Sequence, residues 1–361
     1  MELFVMVGQL VLSLGLAVLV GSFLLLAVPV SARPALSISP LVILGSVLAV
    51  VAGAAIPIFQ IAQALTPRLS FTTALETVLL TYRTGLAWDF TLLGGVLLVV
   101  IYALFNHRSE RIFQVAYLAL TVFMIGTIAW ASHASSIAPI KGFVGDFLHL
   151  LAAAIWVGVV VVIAWFSTNT ANWKPWLGWF SPVAFICFVT MGLSGFLLMD
   201  LTVPNYVTGL STSYGQGLFI KQLLMIPLIA YIVINSFFMK RWMDARKLDP
   251  VPWVRAESII LIAIFAVTAF FSHQAPPSSM VMEANVSKLS AFFLQAPVQN
   301  GMELSLQLGV GTFLFTGLAL LFGGLVVTAF IKKAPLLAGG LFSIAAVASA
   351  YMGLMSGINI V

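Results

Sequence analysis

The chain has 361 residues, 61% of them hydrophobic and 7% charged, with a mean hydropathy of +1.13. A soluble domain carries about 25% charged residues, so these values exclude a soluble globular core and make lipid the solvent for much of the surface. The formal net charge of +5 therefore bears first on helix orientation, and only then on nucleic acid or acidic partners.

Apolar runs of spanning length, roughly 20 residues, occur ten times. The first covers 3–30. It is too long for the apolar region of a signal peptide, and Glu2 stands where a basic start would be needed, so it reads as a membrane helix. The second run, 41–65, carries Pro57 as a tolerable kink. Residues 69–82 do not span. Phe71, Leu75, Val78, Leu79 and Tyr82 fall at helical spacing opposite Thr72, Thr73, Glu76 and Thr81, which predicts a short amphipathic helix on the outer surface.

Further runs follow at 86–105, 112–133, 144–167, 179–200, 218–239 and 254–273. The last two, 304–331 and 335–357, are joined only by Lys332-Lys333-Ala334-Pro335, a tight helical hairpin. With the N-terminus outside, inner loops hold Arg33, Arg108, Arg111, Lys174, Lys240, Arg241, Arg246, Lys247, Arg255, Lys332 and Lys333. Outer loops hold Arg68, Arg83, Lys141, Lys221 and Lys288. That bias follows the positive-inside rule, so an all-α polytopic bundle of about ten membrane helices with both termini outside is expected.

Four histidines are candidates for chemistry. His107 lies in a polar inner loop and reads as solvated. His133 ends the fourth run, His149 begins the fifth and His273 ends the eighth, so all three are expected at the outer face. Neutral imidazole ligates copper, zinc, iron and nickel. Asp146 lies three residues before His149, on the same helix face, as a second ligand or as a group that orients the ring. The alternative is a set of interfacial polar residues satisfied by water and backbone.

Sulfur forms a second set. Met199, Met280, Met282 and Met302 fall on the outer side, and Cys187 and Met191 lie four apart in the sixth run. Soft sulfur ligands select Cu(I), so Cys187 and Met191 are a candidate relay; packing is the plainer reading. A single cysteine excludes an intrachain disulfide. Ionisable groups near outer helix ends, Asp89, Asp200 and Lys221, and Glu257 with Arg255 near an inner end, are candidates for a polar path or for structural ion pairs. Trp156 and Gly158 read as packing residues, with the glycine permitting close helix approach. No Walker loop, dinucleotide fingerprint or His-Glu-x-x-His motif is present, so neither enzymatic activity nor nucleic-acid binding is expected.

The run Asp146-Phe147-Leu148-His149-Leu150-Leu151-Ala152-Ala153-Ala154-Ile155-Trp156-Val157-Gly158 resembles the signature of the CopD family of bacterial copper-resistance and copper-import membrane proteins. Ser132-His133-Ala134 is similar to that family's Gly-His-Ala. Phe180-Ser181, Ser194-Gly195, Tyr214-Gly215 with Leu218 and Lys221, Arg255 with Glu257, and Pro276-Pro277 follow in family order. The resemblance implies a CopD-like core over 130–277, preceded by helices in 1–130 and followed by an outer loop and two additional helices in 278–361.

It further implies copper movement, generally inward, across the bacterial cytoplasmic membrane. His133 and His149 would capture Cu(I) or Cu(II) at the outer face, with Asp146 beside them. Lys221 and Glu257 would serve the path or scaffold. Three departures stand out: Ser132 replaces a glycine, His273 occupies a position without a family histidine, and the fused soluble copper-binding domain of some relatives is not expected. A separate extracytoplasmic copper-binding protein, a second copy of the chain and membrane lipid are candidate partners. Two rival readings use the same residues: a haem-binding electron-transfer protein, and a copper-delivery factor that binds without transporting.

Overall fold

The computed structural model describes residues 2–105, 110–203, 205–246, 249–272, 274, 276–277, 287–294 and 304–360. The protein is a polytopic helical bundle. Ten of its described helices are long and apolar enough to cross a membrane. Only helices and closed barrels satisfy every backbone group in lipid, and this composition selects the helical solution. The chain divides into two compact units, Met1–Leu201 and Thr202–Val361.

The first unit opens with α1 (Glu2–Ala27) and α2 (Pro40–Leu65), the latter capped by Ser39 and started by proline at its first position. A short helix, α3 (Phe71–Thr81), is capped by Ser70 and followed by α4 (Arg83–Phe105) and α5 (Arg111–Trp130). Next come a one-turn helix, α6 (His133–Ile137), then α7 (Pro139–Phe166) and α8 (Trp173–Thr202).

Helix α1 is the hub. Its Leu16, Leu19 and Phe23 pack with Ile43, Val47 and Val50 of α2, Leu98 of α4, Tyr117 and Met124 of α5, and Ala154 of α7. Tight packing needs small residues where backbones cross. Gly21 of α1 and Gly158 of α7 meet there: a Cβ built on Gly158 would lie 2.0 Å from the Ala17 carbonyl oxygen. The packing role expected of Gly158 is therefore what the crossing uses.

Within the expected 69–82 segment, residues 71–81 form the helix α3, and Phe71 and Tyr82 of the expected apolar face are exposed. Its buried face is Ala74 and Val78, which pack on Ile58 and Ala62 of α2. Phe71 and Leu80 are exposed.

The second unit holds α9 (Tyr206–Gly209), α10 (Ser213–Leu223) and α11 (Met225–Val233), then a π-helical turn (Ile234–Phe238) and α12 (Met239–Arg246). The stretch Ser213–Arg241 is one candidate span. Then follow α13 (Val251–Phe271), α14 (Lys288–Leu294), β1 (Leu304–Leu306), α15 (Val310–Ile331), α16 (Leu336–Met355) and β2 (Ile358–Ile360).

The expected run 304–331 is corrected here. Residues 304–306 form a strand antiparallel to 358–360, and the helix begins at Val310. Leu304 and Ile358 join Leu210, Phe219, Leu223 and Met355 in a core, so burial by tertiary partners outweighs membrane insertion for these residues. Lys333 turns the α15–α16 hairpin with φ 56°.

Candidate functional site: a histidine held by the eighth helix

His149 lies ten residues into α7, which starts at Pro139 rather than near residue 144. It is half-buried. Its Nδ1 lies 3.2 Å from the Ser194 Oγ of α8. That Oγ also lies 2.6 Å from the Thr190 carbonyl oxygen, one helical turn back. A serine hydroxyl has a single proton, and the short bond to Thr190 takes it. Ser194 Oγ then accepts from His149 Nδ1–H. In the neutral ring this tautomer puts the lone pair on Nε2, the arrangement a metal-ligating histidine adopts.

Gly195 makes room for the ring. A Cβ there would lie 3.6 Å from His149 Cε1. The two helices stay in register above and below: a Cβ on Gly145 would meet Leu197, and Trp156 packs edge-on against Phe188 at 6.0 Å. On α8, Cys187, Met191 and Ser194 recur at intervals of four and three, one face of the helix. Cys187 is buried and Met191 half-buried. The sulfur pair singled out by sequence and the partner of His149 therefore share a stripe about 10 Å long.

The other expected residues are placed as follows. His133 is exposed and begins α6, instead of ending the fourth span. Ser132 caps that helix by accepting from Ser135 N at 3.2 Å, a role that explains a serine in place of glycine. Helix α6 sits on the first turn of α7, where a Cβ on Gly142 would lie 2.0 Å from the Ala134 carbonyl oxygen. His149 is seven residues further along α7, about 10 Å deeper. Asp146 is half-buried and Asp89 exposed. Asp200 accepts from Lys141 Nζ at 2.7 Å, an exposed pair. His107, His273, Met280, Met282 and Met302 lie outside the described residues. Among the described residues, no group of three or more His, Cys, Asp or Glu is close enough to hold a metal ion.

In the second unit, Lys221 Nζ stands 6.0 Å above the Phe271 ring, a cation–π distance. Glu257 is 5% exposed and accepts from Asn235 Nδ2 at 2.6 Å. Asn235 also donates to the Trp253 carbonyl oxygen at 3.4 Å. It sits in the π-helical turn, a feature that concentrates at functional sites. Glu257→Ala is expected to lower stability by about 1–3 kcal/mol by removing the shorter of the two acceptors of the buried Asn235 amide. Glu257→Gln should recover much of it, read as thermal midpoints in detergent.

Ser194 and Asn235 were not singled out as functional by sequence. Ser194 appeared only within a family motif, and each finds its partner 22 to 45 positions away.

The family described as Copper resistance protein D, CopD, matches residues 174–271. That stretch contains Cys187, Met191, Ser194, Lys221, Asn235 and Glu257; His133, Asp146 and His149 precede it. The Copper transport protein CutJ of Bacillus subtilis (strain 168) is 25% identical over 212 residues, which is 56% of this chain and 37% of that protein. The chain thus spans little more than a third of that relative's length. No solved structure matches. Residues 174–271 are thus similar to the CopD family, in a chain whose described helices include ten long and apolar enough to cross a membrane.

Proposed function

We propose that this protein carries copper inward across a bacterial cytoplasmic membrane, with His149 as the receiving ligand and Met191 and Cys187 as the next stations. The observation that carries the proposal is the 3.2 Å contact of His149 Nδ1 with Ser194 Oγ, on the helix pair that also bears the two sulfurs. The family match and the copper transport relative support copper as the cargo. Soft ligands along α8 favour Cu(I) for the inner part of the route.

In this reading His133, on its exposed helix, is a collection point above His149. Asp146 contributes charge beside the ring, and His273 is a further candidate ligand. Lys221, Glu257, Asp200 and Asp89 belong to the polar path or scaffold. The charge bias puts both termini outside.

Full-length protein in proteoliposomes should accumulate copper added outside, and the purified protein should bind copper without a Soret band. Copper binding without uptake would favour a delivery factor. A Soret band would favour the haem reading.

A further inference from the structure

An open cleft of about 870 Å³ lies in the first unit between α4, α5 and α7. It is separate from the His149–Ser194 pair. On α5 its lining residues Ala119, Phe123, Gly126 and Trp130 recur at intervals of four, three and four, a single helix face. From Trp130 to Ala119 the cleft runs eleven residues along the helix, about 16 Å. One leaflet of a bilayer has about 15 Å of hydrocarbon, half of the roughly 30 Å core. The cleft thus has the depth of one acyl layer.

Its chemistry is divided by depth. The deep part has walls of Phe90, Phe123 and Phe147 over a floor of Ala119 and Gly126. Phe90 and Phe123 remain 47% and 44% exposed. The opposite end is where α4 and α7 begin and α5 stops, so it marks the edge of the spans. Arg83, the first residue of α4, sits there. Its Nη1 donates to the Ser135 carbonyl oxygen at 3.1 Å and its Nη2 to Ser135 Oγ at 2.9 Å. Its guanidinium stands 5.4 Å above the Trp130 ring.

These contacts fix the cation in place, and each uses a neutral partner. Among the described residues no carboxylate lies within ion-pair distance of Arg83. A guanidinium has five N–H donors, so donors remain for an anion. A fixed cation at a membrane edge, held without a counter-charge and continued by a greasy trough one leaflet deep, is complementary to one kind of molecule. Basic pockets between membrane helices bind anionic lipid headgroups on the cytoplasmic side, and a guanidinium pairs with phosphate through the same charge-assisted bonds at either face.

We propose that this cleft is a binding site for an anionic phospholipid, with the phosphate on Arg83 and one acyl chain lying along α5 over Gly126. The Trp130 ring belongs to the same site, since an indole is at home at headgroup depth. A hydrophobic helix from a partner would fill the trough and leave Arg83 without its anion, which is why lipid is the better occupant.

The test uses the full chain in nanodiscs made from equal parts phosphatidylglycerol and phosphatidylcholine, followed by native mass spectrometry of retained lipid. The wild type should keep phosphatidylglycerol over phosphatidylcholine by about five-fold, the fold-change matching about 1 kcal/mol for one basic residue at the membrane surface. Arg83→Gln should abolish that preference. Because Arg83 also braces Ser135, a second variant leaves it untouched: Gly126→Leu fills the trough, and its Cβ meets only Phe147 Cε2, at 3.8 Å. Gly126→Leu should reduce retained lipid of either headgroup. Equal retention of the two lipids by the wild type would overturn the proposal. So would a phosphatidylglycerol preference unchanged in Arg83→Gln, or a co-purifying polypeptide that blocks lipid retention.

Discussion

His149→Leu is expected to lower the copper affinity of the purified protein by more than about 100-fold. Removing a hydrogen-bonding partner behind a metal ligand already lowers affinity by about 10–100-fold, and removing the ligand exceeds that. Ser194→Ala should fall within the smaller range, because it leaves the imidazole in place and frees Nδ1 from the acceptor that sets its tautomer. The ordering separates a metal role from a packing role: a structural histidine would show no graded loss in copper titrations at unchanged thermal midpoint. His133→Ala should weaken binding less than His149→Leu, since His133 is exposed on its one-turn helix. A copper stoichiometry unchanged in the double variant His133→Ala with His149→Ala would overturn the assignment of both.

Gly158→Leu is expected to destabilise the protein by more than about 3 kcal/mol, the upper end for overpacked cores. The reason is the neighbour. A Cβ at 158 lies 2.0 Å from the Ala17 carbonyl oxygen and 2.9 Å from the Gly21 nitrogen. Backbone atoms cannot swing aside as a side-chain tip can, so α1 and α7 must separate. Helix α1 is also the element on which α2 and α5 pack, and the loss spreads to the unit. Gly192→Leu in α8 is the matched control, with open space around its Cβ and an expected change of no more than about 1 kcal/mol, in the stabilising direction, because glycine is the poorer helix former. Size-exclusion profiles and thermal midpoints in one detergent compare the two directly.

The long apolar runs were legible because span length and hydropathy are local quantities. Their edges were less so. Lys141 and Gly142 precede the fifth run at 144–167, yet α7 already passes through them. Glycine there admits the backbone of α6, a contact no window of hydropathy can see. That displaced start is what places His149 within the helix, below the level of His133. Residues 304–306 read as the opening of a span because a three-residue strand and a helix start are alike in apolar content; their strand partner lies more than fifty positions away.

The candidate site was legible by residue type. His149, Cys187 and Met191 carry the chemistry that copper seeks, and spacing alone puts the two sulfurs on one face. What the spacing could not provide was the partner. Ser194 lies 45 positions from His149, and only the packing of α7 on α8 makes it the group that sets the ring's tautomer. Asn235 is hidden for a further reason, since a π-helical turn has no residue signature of its own.

That turn has a consequence for the alignment of the seventh span. Tyr231, Asn235 and Met239 are all buried and repeat every four residues. In a regular α-helix a step of four residues rotates the side chain by about 40°, so Met239 would lie about 80° around the helix from Tyr231. The wider turn at Ile234–Phe238 absorbs that drift and keeps the three in one file. The turn therefore acts as a correction of phase, and the middle member of the file is the amide that meets Glu257.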